Sequence, residues 1–299
     1  MTLKIFVATH QDKIVFSNEN LCPIQVGKNI SKIDLSMIGD NIGENISDRN
    51  INYCELTAIF CLWKNCKNDY VGLMHYRRYL ILDNIKTPSK FYELFMKTAA
   101  ILGRNIIFQK LFLNFYRKKY VNVSGYLNMD SYELLRYIDN SYLKMEELLN
   151  EKNIDVILPK KSFTINTPYE IYKADHLIEH LDKTIQIIKE RFPEISLFVE
   201  EGLHKNYAYY GNIFIMKWKY FDKYCTFLFD VLFELEKQII IPTDNYQKRV
   251  FGFISERLMA PFIDYLIATN KITVYETDLA FINFKKPAVP IIINSNKES

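Results

Sequence analysis

The four residues His75, Tyr76, Arg77 and Arg78 form the segment of this sequence that is best suited to bind an anion. They directly follow the apolar stretch 69–73, which has the composition of a buried strand. In open α/β sheets, ligands bind beyond the carboxyl ends of the strands, and the planar guanidinium group of arginine matches pairs of phosphate oxygens. An arbitrary pair of arginines more often forms a solvated loop or a structural ion pair. The position after a strand, beside a histidine, favours a phosphate site instead.

A second group of polar and aromatic residues is predicted on one helix. The segment Thr-Pro-Tyr-Glu at 167–170 has the arrangement of a capping box with proline at the first helical position, and the helix is predicted to end near residue 191. On this helix Tyr169, Tyr172, His176 and His180 lie near one stripe. Such a stripe would suit a sugar or a nucleotide, and packing of the same rings in the core is an equally good interpretation.

The same helix contains a pattern that occurs in one class of zinc peptidases. His176, Glu179 and His180 fit the pattern H-x-x-E-H, in which two histidines one turn apart bind zinc beside a catalytic glutamate. Only three positions define this pattern, and the sequence offers no persuasive third ligand. A zinc-dependent hydrolase is therefore an alternative hypothesis, and we predict no metal site.

Three charged residues lie within segments that are otherwise apolar and have helical periodicity. Glu55 belongs to the predicted helix 51–64, and Glu256 and Arg257 belong to the predicted helix 247–268. Charges that reach into a core need partners, so each residue could anchor a loop. Either glutamate could also remove a proton from an acceptor hydroxyl. Anchoring is the favoured role for Glu55, whereas both roles stay open for Glu256.

Length and composition restrict the class of protein. The 299 residues allow one large α/β domain, and no linker or repeat divides them, so we predict a single domain over 1–299. The formal charge of +3 argues against a nucleic-acid binder, and five cysteines without a C-x-x-C pair are typical of a reduced, cytosolic protein. The chain begins in a strand pattern without a leader, and no apolar run approaches the roughly 20 residues of a membrane span. We therefore expect a cytoplasmic location.

Short apolar strands alternate with amphipathic helices along the chain. Strands are predicted at 4–9, 69–73, 155–159 and 210–217, with an edge strand at 272–275, and helices at 51–64, 168–191, 220–237 and 247–268. Residues 27–50 are rich in Gly, Asn, Asp and Ser and are predicted to form an irregular loop. This alternation predicts an α/β sheet whose ligand binds at the carboxyl ends of the strands.

Residues 86–125 differ in composition from the rest and are predicted to form a basic, aromatic, helical insertion. In this segment lysines and arginines alternate with phenylalanine, isoleucine and leucine. Apolar residues beside cations are what a segment needs to lie on an anionic membrane surface, which would place the protein peripherally at the membrane through residues 86–120. An ordinary amphipathic helix of the domain would have the same composition, and the two interpretations are equally supported.

Several segments, in a fixed order along nearly the whole chain, carry a family resemblance. They are residues 5–10, 39–47, 53–58, 70–79, 211–216, 221–225 and 249–258. Together they resemble the capsular and exopolysaccharide glycosyltransferase family catalogued as domain of unknown function 4422. The resemblance implies a GT-A-like, Rossmann-type fold with a mixed sheet flanked by helices. It also implies a UDP-sugar donor, with galactose as pyranose or furanose, and a lipid-linked glycan acceptor in capsule, exopolysaccharide or O-antigen synthesis.

The resemblance also bears on the metal. In related GT-A folds the strand that enters the site ends in Asp-x-Asp, which holds a divalent ion against the diphosphate. Here the comparable strand ends in the segment 75–78, whose arginines would replace that ion. We therefore expect a metal-independent enzyme without a cofactor.

On this expectation the candidate site residues fall into three groups. The catalytic group binds the leaving diphosphate or acts on the acceptor, and consists of His75, Arg77, Arg78 and Glu256. The residues expected to bind the donor are Thr9, His10, Asp40, Asn41 and Tyr76. The residues expected to bind the sugar or the acceptor are Tyr169, Tyr172, His176, Asn212 and Arg257. A second alternative hypothesis, beside the zinc hydrolase, is a non-catalytic glycan-binding protein.

Overall fold

The structure, a computed structural model, describes residues 1–13, 15–82, 127–129, 131–164, 166–209, 211–282, 284 and 292–294. The basic insertion predicted at 86–125 lies outside the described residues. The single domain over 1–299 stays a prediction. Among the helices of the described ranges, none combines the length and the apolar character needed to cross a membrane.

Strands and helices alternate along the described chain. Up to residue 129 they are β1 (Leu3–Thr9), β2 (Val15–Ser17), β3 (Leu21–Gln25), β4 (Ile38–Gly39), α1 (Asn50–Tyr53), α2 (Leu56–Asn65), β5 (Tyr70–His75), β6 (Arg78–Ile81) and β7 (Leu127–Met129). After it come α3 (Ser131–Glu151), β8 (Val156–Pro159), β9 (Ser162–Phe163), α4 (Pro168–Asp175), α5 (Ile178–Arg191), α6 (Pro193–Leu203), β10 (Tyr207–Ala208), β11 (Phe214–Lys217), α7 (Trp218–Gln238), α8 (Val250–Asn270), β12 (Val274–Ile282) and β13 (Ile292–Asn294). Short 3-10 helices occur at Lys28–Ile30, Ser47–Arg49 and Gln247–Arg249.

The central sheet is mixed and has the strand order β11, β8, β12, β6, β5, β1, β3, β4. β7 pairs with β12, and β11 also pairs with β5. β1 is parallel to both β3 and β5, whereas β6 and β11 run antiparallel to β5. The register places Ala8 of β1 beside His75 of β5. The carboxyl ends of β1 and β5 are therefore neighbours, and the residues that follow them share one edge of the sheet.

Helices cover both faces of the sheet because successive side chains of a strand point to opposite faces. In β1, Phe6 and Ala8 belong to the larger core, together with buried residues of α2, α5, α6, α7 and α8. Ile5 and Val7 belong to a second core, together with buried residues of α3. The predicted fold class, a mixed α/β sheet flanked by helices, is confirmed.

Two of the predicted helices are each interrupted once. The helix predicted at 51–64 divides at Cys54, whose φ of 53° and ψ of −132° are incompatible with a helix. The helix predicted from 168 to 191 begins at the expected capping box but divides at His176, which is extended with φ −140° and ψ 174°. Both segments have unbroken helical periodicity. The interruptions therefore come from tertiary contacts, which override local propensity.

The strand predicted at the edge of the sheet, 272–275, is longer than expected and lies inside the sheet. β12 pairs with β6 on one side and with β8 on the other. Its polar residues Glu276, Thr277 and Asp278 each have a hydrogen-bond partner outside the strand. These polar residues interrupt the apolar pattern by which a strand is predicted, so the sequence indicates a shorter strand. Their hydrogen-bond partners allow the polar side chains to occupy a strand inside the sheet.

Candidate active site

A cavity of about 330 Å³ lies at the carboxyl ends of β1 and β5. Its wall is built from five parts of the chain: the two strand ends, the end of β3, the junction of α1 and α2, and the turn before α8. The lining residues are Ala8, His10, Val26, Asn50, Ile51, Cys54, Glu55, His75, Asn245, Lys248 and Arg249. Cations and imidazoles therefore share this wall with the carboxylate of Glu55.

Tyr76 is the packing centre of the predicted phosphate-binding segment. Its buried ring lies 4.3 Å from the His75 ring and 5.8 Å from the His10 ring, centroid to centroid. The guanidinium carbon of Arg77 lies 5.2 Å from the same centroid. Arg78 begins β6 and pairs with His75 across the turn. The structure thus brings these five sequence-predicted residues together at one edge of the sheet.

The surroundings of both histidines at this edge favour the neutral form. Burial lowers the pKa of His75 well below its usual value, and nearby Arg78, His10 and Arg77 lower it further. Burial also lowers the pKa of His10, with added contributions from Arg249 and Arg77. The positive charge at neutral pH therefore belongs to the arginines, and the imidazoles can take part in hydrogen bonds without adding charge.

The lowered pKa of His75 predicts a fold that is sensitive to acid. A histidine with a lower pKa in the folded chain binds fewer protons there, so its stabilising contribution is complete above the unfolded pKa of about 6.5 and is lost as the pH falls below it. We expect His75→Gln to flatten the dependence of the free energy of unfolding on pH between about 7 and 5. Urea denaturation over that range measures the slope. The exposed residue His204 provides the matched control, His204→Gln, and an unchanged slope in His75→Gln would contradict the prediction.

The loop before β11 connects two carboxylates to the cationic edge. Gly211 and Asn212 are consecutive residues with positive φ, 90° and 50°. The Gly211 N–H donates to Glu256 Oε1 at 3.1 Å, and the Asn212 side-chain amide donates to Glu55 Oε1 at 2.9 Å. A Cβ at Gly211 would lie 3.3 Å from Arg78 Nη1, so this arginine packs directly against the loop. The same two residues therefore position both carboxylates and one of the cations.

Glu256 and Arg257 form a partly buried ion pair on α8. Arg257 Nη1 lies 3.1 Å from Glu256 Oε2 and also donates to the Phe253 carbonyl. The Arg257 guanidinium carbon lies 5.4 Å from the centroid of the Tyr172 ring. Burial raises the pKa of Glu256, and the charge of Arg257 opposes that shift. Neither member of the pair is among the residues that line the cavity.

Three residues predicted to bind the donor are hydrogen-bonded within their own loops. Thr9 bonds to the backbone two residues further on. The buried Asp40 carboxylate accepts from two backbone N–H groups at 2.7 and 3.1 Å and from one serine hydroxyl. Asn41 Nδ2 donates to Asn29 Oδ1 at 2.9 Å. None of the three lines the cavity. Asp40 and Asn41 support the loop 27–50, Thr9 supports the turn after β1, and direct donor contact stays a prediction.

His176 lies in an aromatic cluster beside the turn that precedes α8. Its ring lies 4.1 Å from Phe253, 4.7 Å from Tyr172 and 5.6 Å from Tyr246, centroid to centroid. Its Nδ1 is 3.1 Å from Gln247 Oε1. Tyr246 is exposed, and the residues that flank Tyr246 and Gln247, Asn245 and Lys248, line the cavity. The cluster therefore adjoins the cavity along this turn.

The geometry does not favour the zinc hydrolase. His176 is extended and precedes α5, which carries His180, so the two histidines are not one helical turn apart. Glu179 lies in the first turn of α5. Tyr169, the remaining tyrosine of the predicted stripe, lies in α4, and its hydroxyl donates to Asp182 of α5 at 2.8 Å. Within the described ranges, no group of three or more His, Cys, Asp or Glu side chains could hold a metal ion.

Several residues that line the cavity have little or no signal in the sequence. Asn50 and Cys54 come from the junction of α1 and α2, and Asn245, Lys248 and Arg249 come from the turn before α8. Arg249 Nε lies 3.2 Å from Cys54 Sγ and so joins the two segments. Adjacent cations directly before a long apolar helix are a usable signal for Lys248 and Arg249. Nothing local distinguishes the other three.

Comparison with known proteins shows one family and one related structure. The sequence model of the family described as domain of unknown function DUF4422 matches residues 4–267. A solved structure of WbbM, described as a bifunctional glycosyltransferase in its apo form, has the same fold with a TM-score of 0.78 and 27% sequence identity. The similarity covers 95% of this chain and 46% of that chain, so the present chain spans less than half the length of WbbM. Among curated proteins, no match is found.

Proposed function

The chain belongs to the DUF4422 family, and we propose that it is a glycosyltransferase that transfers a hexose from a UDP-sugar to a hydroxyl group. The observation that carries this proposal is the cavity at the ends of β1 and β5, whose wall contains Lys248, Arg249 and the carboxylate of Glu55. Arg77 and Arg78 directly follow His75, which also lines the cavity. The similarity in sequence and fold to a structure described as a bifunctional glycosyltransferase supports it. A cationic cavity with a carboxylate on its wall is what transfer from a nucleoside diphosphate sugar requires.

The donor diphosphate binds at the cationic edge in this proposal. Arg77 and Arg78 are not themselves lining residues but directly follow His75, which ends β5 and lines the cavity, and Lys248 and Arg249 line it before α8. Arg77 Nε is buried and, in the part of the chain that the structure describes, has no hydrogen-bond partner. A buried donor without a partner costs free energy, which an anionic ligand could reduce. The arginines then stabilise the charge that develops on the leaving UDP, in place of a metal ion.

The acceptor binds on the side of the aromatic cluster. The exposed Tyr246 offers its ring beside the cavity, and the His176 ring stacks against it. Tyr172 packs against His176, and Arg257 packs against Tyr172. Rings with one apolar face and a polar edge suit a sugar. We propose a glycan on a lipid carrier as the acceptor, galactose in pyranose or furanose form as the transferred sugar, and a place in bacterial surface polysaccharide synthesis on the cytoplasmic side of the membrane.

Thermal unfolding with and without nucleotides tests this proposal. A ligand that binds the native state raises the melting temperature, by an amount that corresponds to about 2.7 kcal/mol at a concentration of 100 Kd. We expect UDP and at least one UDP-sugar to raise the melting temperature, uridine to have no effect, and the shifts to persist in EDTA. Addition of a glycan acceptor should then release UDP.

Four results would contradict the proposal. Absence of a shift with every nucleotide, together with absence of UDP release, would overturn the transferase. A UDP shift that disappears in EDTA would overturn the metal-independent donor site. Destabilisation by EDTA without any nucleotide effect would support the zinc hydrolase, and glycan binding without turnover would support a non-catalytic protein.

A further inference from the structure

Two glutamates lie close to the cationic edge, and the structure assigns them different positions. Glu55 lines the cavity together with His10, His75 and Arg249, whereas Glu256 does not. From the sequence, anchoring is the favoured role for Glu55, whereas Glu256 is a catalytic candidate for which both roles stay open. The positions reverse that order, because a group that removes a proton must come within hydrogen-bond reach of it. This inference rests on the proposed function and concerns which residue performs the proton transfer.

The backbone around Glu55 is strained on both sides of its contact. Cys54, the preceding residue, has φ 53° and ψ −132°, a combination that is usual only for glycine. Asn212, which bonds to Glu55, has φ 50°. Such conformations cost on the order of 1–3 kcal/mol each and persist where the surrounding structure imposes them. Two strained residues from distant parts of the chain therefore meet at the Glu55 carboxylate. Such strain is typical of a site where the orientation of a side chain is maintained at the expense of the stability of the fold.

The orientation of the Asn212 amide is determined by a third residue. Asn212 Nδ2 donates to both Glu55 Oε1 and Ser255 Oγ, each at 2.9 Å. The Ser255 hydroxyl in turn donates to the Gly252 carbonyl at 2.8 Å, so its oxygen acts as the acceptor towards the amide. Asn212 therefore presents an N–H group, and not its carbonyl oxygen, to Glu55. One carboxylate oxygen is held in place, and the other can accept a proton.

We propose that Glu55 is the general base of the transfer reaction. Its carboxylate takes the proton of the acceptor hydroxyl while that oxygen forms the new bond to the anomeric carbon. The bond from this carbon to the diphosphate breaks, and its electron pair leaves with UDP, whose charge is stabilised by Arg77 and Arg78. A single displacement of this kind inverts the configuration at the anomeric carbon.

Glu256 is a positioning residue in this scheme. Its Oε1 accepts from the Gly211 N–H and its Oε2 is paired with Arg257. Through Gly211 it holds the loop that carries Asn212, and through Asn212 it influences Glu55. The occupation of both its oxygens agrees with this role.

The test compares matched glutamate variants. We expect Glu55→Gln to lower the single-turnover rate of transfer by about 10²- to 10⁴-fold, while UDP raises its melting temperature as in the unaltered protein. Glu55→Asp should restore part of the rate. The remaining rate of Glu55→Gln should lose the dependence on pH that the unaltered enzyme shows on the acidic side. Glu44→Gln, an exposed glutamate on the loop before α1, is the control and should retain the full rate.

Each other outcome separates this inference from the proposed function. Transfer by Glu55→Gln within about threefold of the unaltered rate, or a product with retained anomeric configuration, would overturn the base assignment alone. Unfolding of both Glu55→Gln and Glu55→Asp at ordinary temperature would overturn it in favour of an anchoring role. Absence of transfer by the unaltered protein with every UDP-sugar would overturn the proposed function, and the base assignment with it.

Discussion

Replacement of both Arg77 and Arg78 by alanine is expected to lower kcat for sugar transfer by a factor of about 10³ or more. These arginines lie at the end of β5, beside imidazoles whose pKa values are lowered, so they supply the positive charge of this edge at neutral pH. Charge on the leaving diphosphate grows as the transition state forms, and cations that are already oriented stabilise it without reorganisation. The effect should therefore fall on kcat more than on the KM of the donor.

Steady-state kinetics with a UDP-sugar measures this effect on kcat. Two further variants serve as comparisons. Arg77→Lys with Arg78→Lys keeps the charge but removes the planar fork, so an intermediate rate is expected. Arg191→Ala, on the surface of α5, is the matched control and should leave kcat unchanged. Arg78 packs against Gly211, so the melting temperature of each variant must be compared as well. A folded double alanine variant that retains kcat would contradict the proposed role of these residues.

Replacement of Asp40 by alanine is expected to lower the free energy of unfolding by about 3 kcal/mol. The carboxylate is fully buried and accepts hydrogen bonds from the N–H groups of Gly27 and Lys28 and from the Ser47 hydroxyl. Its removal leaves these buried donors without their acceptor, and each unsatisfied group costs about 1–3 kcal/mol. The loop 27–50 should loosen first, because this side chain joins its two ends.

Urea denaturation of Asp40→Ala measures the loss, and the same loop provides the control. Asp34 is exposed and pairs with Lys28 at the surface, so Asp34→Ala should change stability far less than Asp40→Ala. Asp40→Asn keeps one acceptor oxygen and should lie between the two. A variant Asp40→Ala with ordinary stability but without UDP binding would contradict the supporting role. That result would favour the direct donor contact predicted from the sequence.

The residues at the strand ends are predictable from short segments of the sequence. The apolar pattern of 69–73 followed by a histidine and two arginines predicts a cationic group at the edge of a sheet, and the structure places it there. The pattern requires only that strands are buried and that their ends meet at one edge. The capping box at Thr167 is equally local and is also present.

The two interrupted helices show where local information ends. Periodicity predicts continuous helices through Cys54 and His176, and both residues instead adopt extended or strained backbone. Cys54 contacts Arg249, and His176 packs against Phe253 and Tyr246, all more than 60 positions away in the sequence. Helical propensity amounts to less than about 1 kcal/mol per ordinary residue, so a few such contacts can outweigh it.

By itself, the sequence determined the class of fold, the family and the cationic strand end, because these depend on patterns within short segments. Only the tertiary structure decided which glutamate lines the cavity, that Asp40 supports a loop, and that Lys248 and Arg249 complete the wall. Glu55 and Asn212 are 157 residues apart, and neither has neighbours in sequence that indicate the other. Their contact exists because α2 and the strand β11 contribute to the same hydrophobic core, and the site is a consequence of that packing.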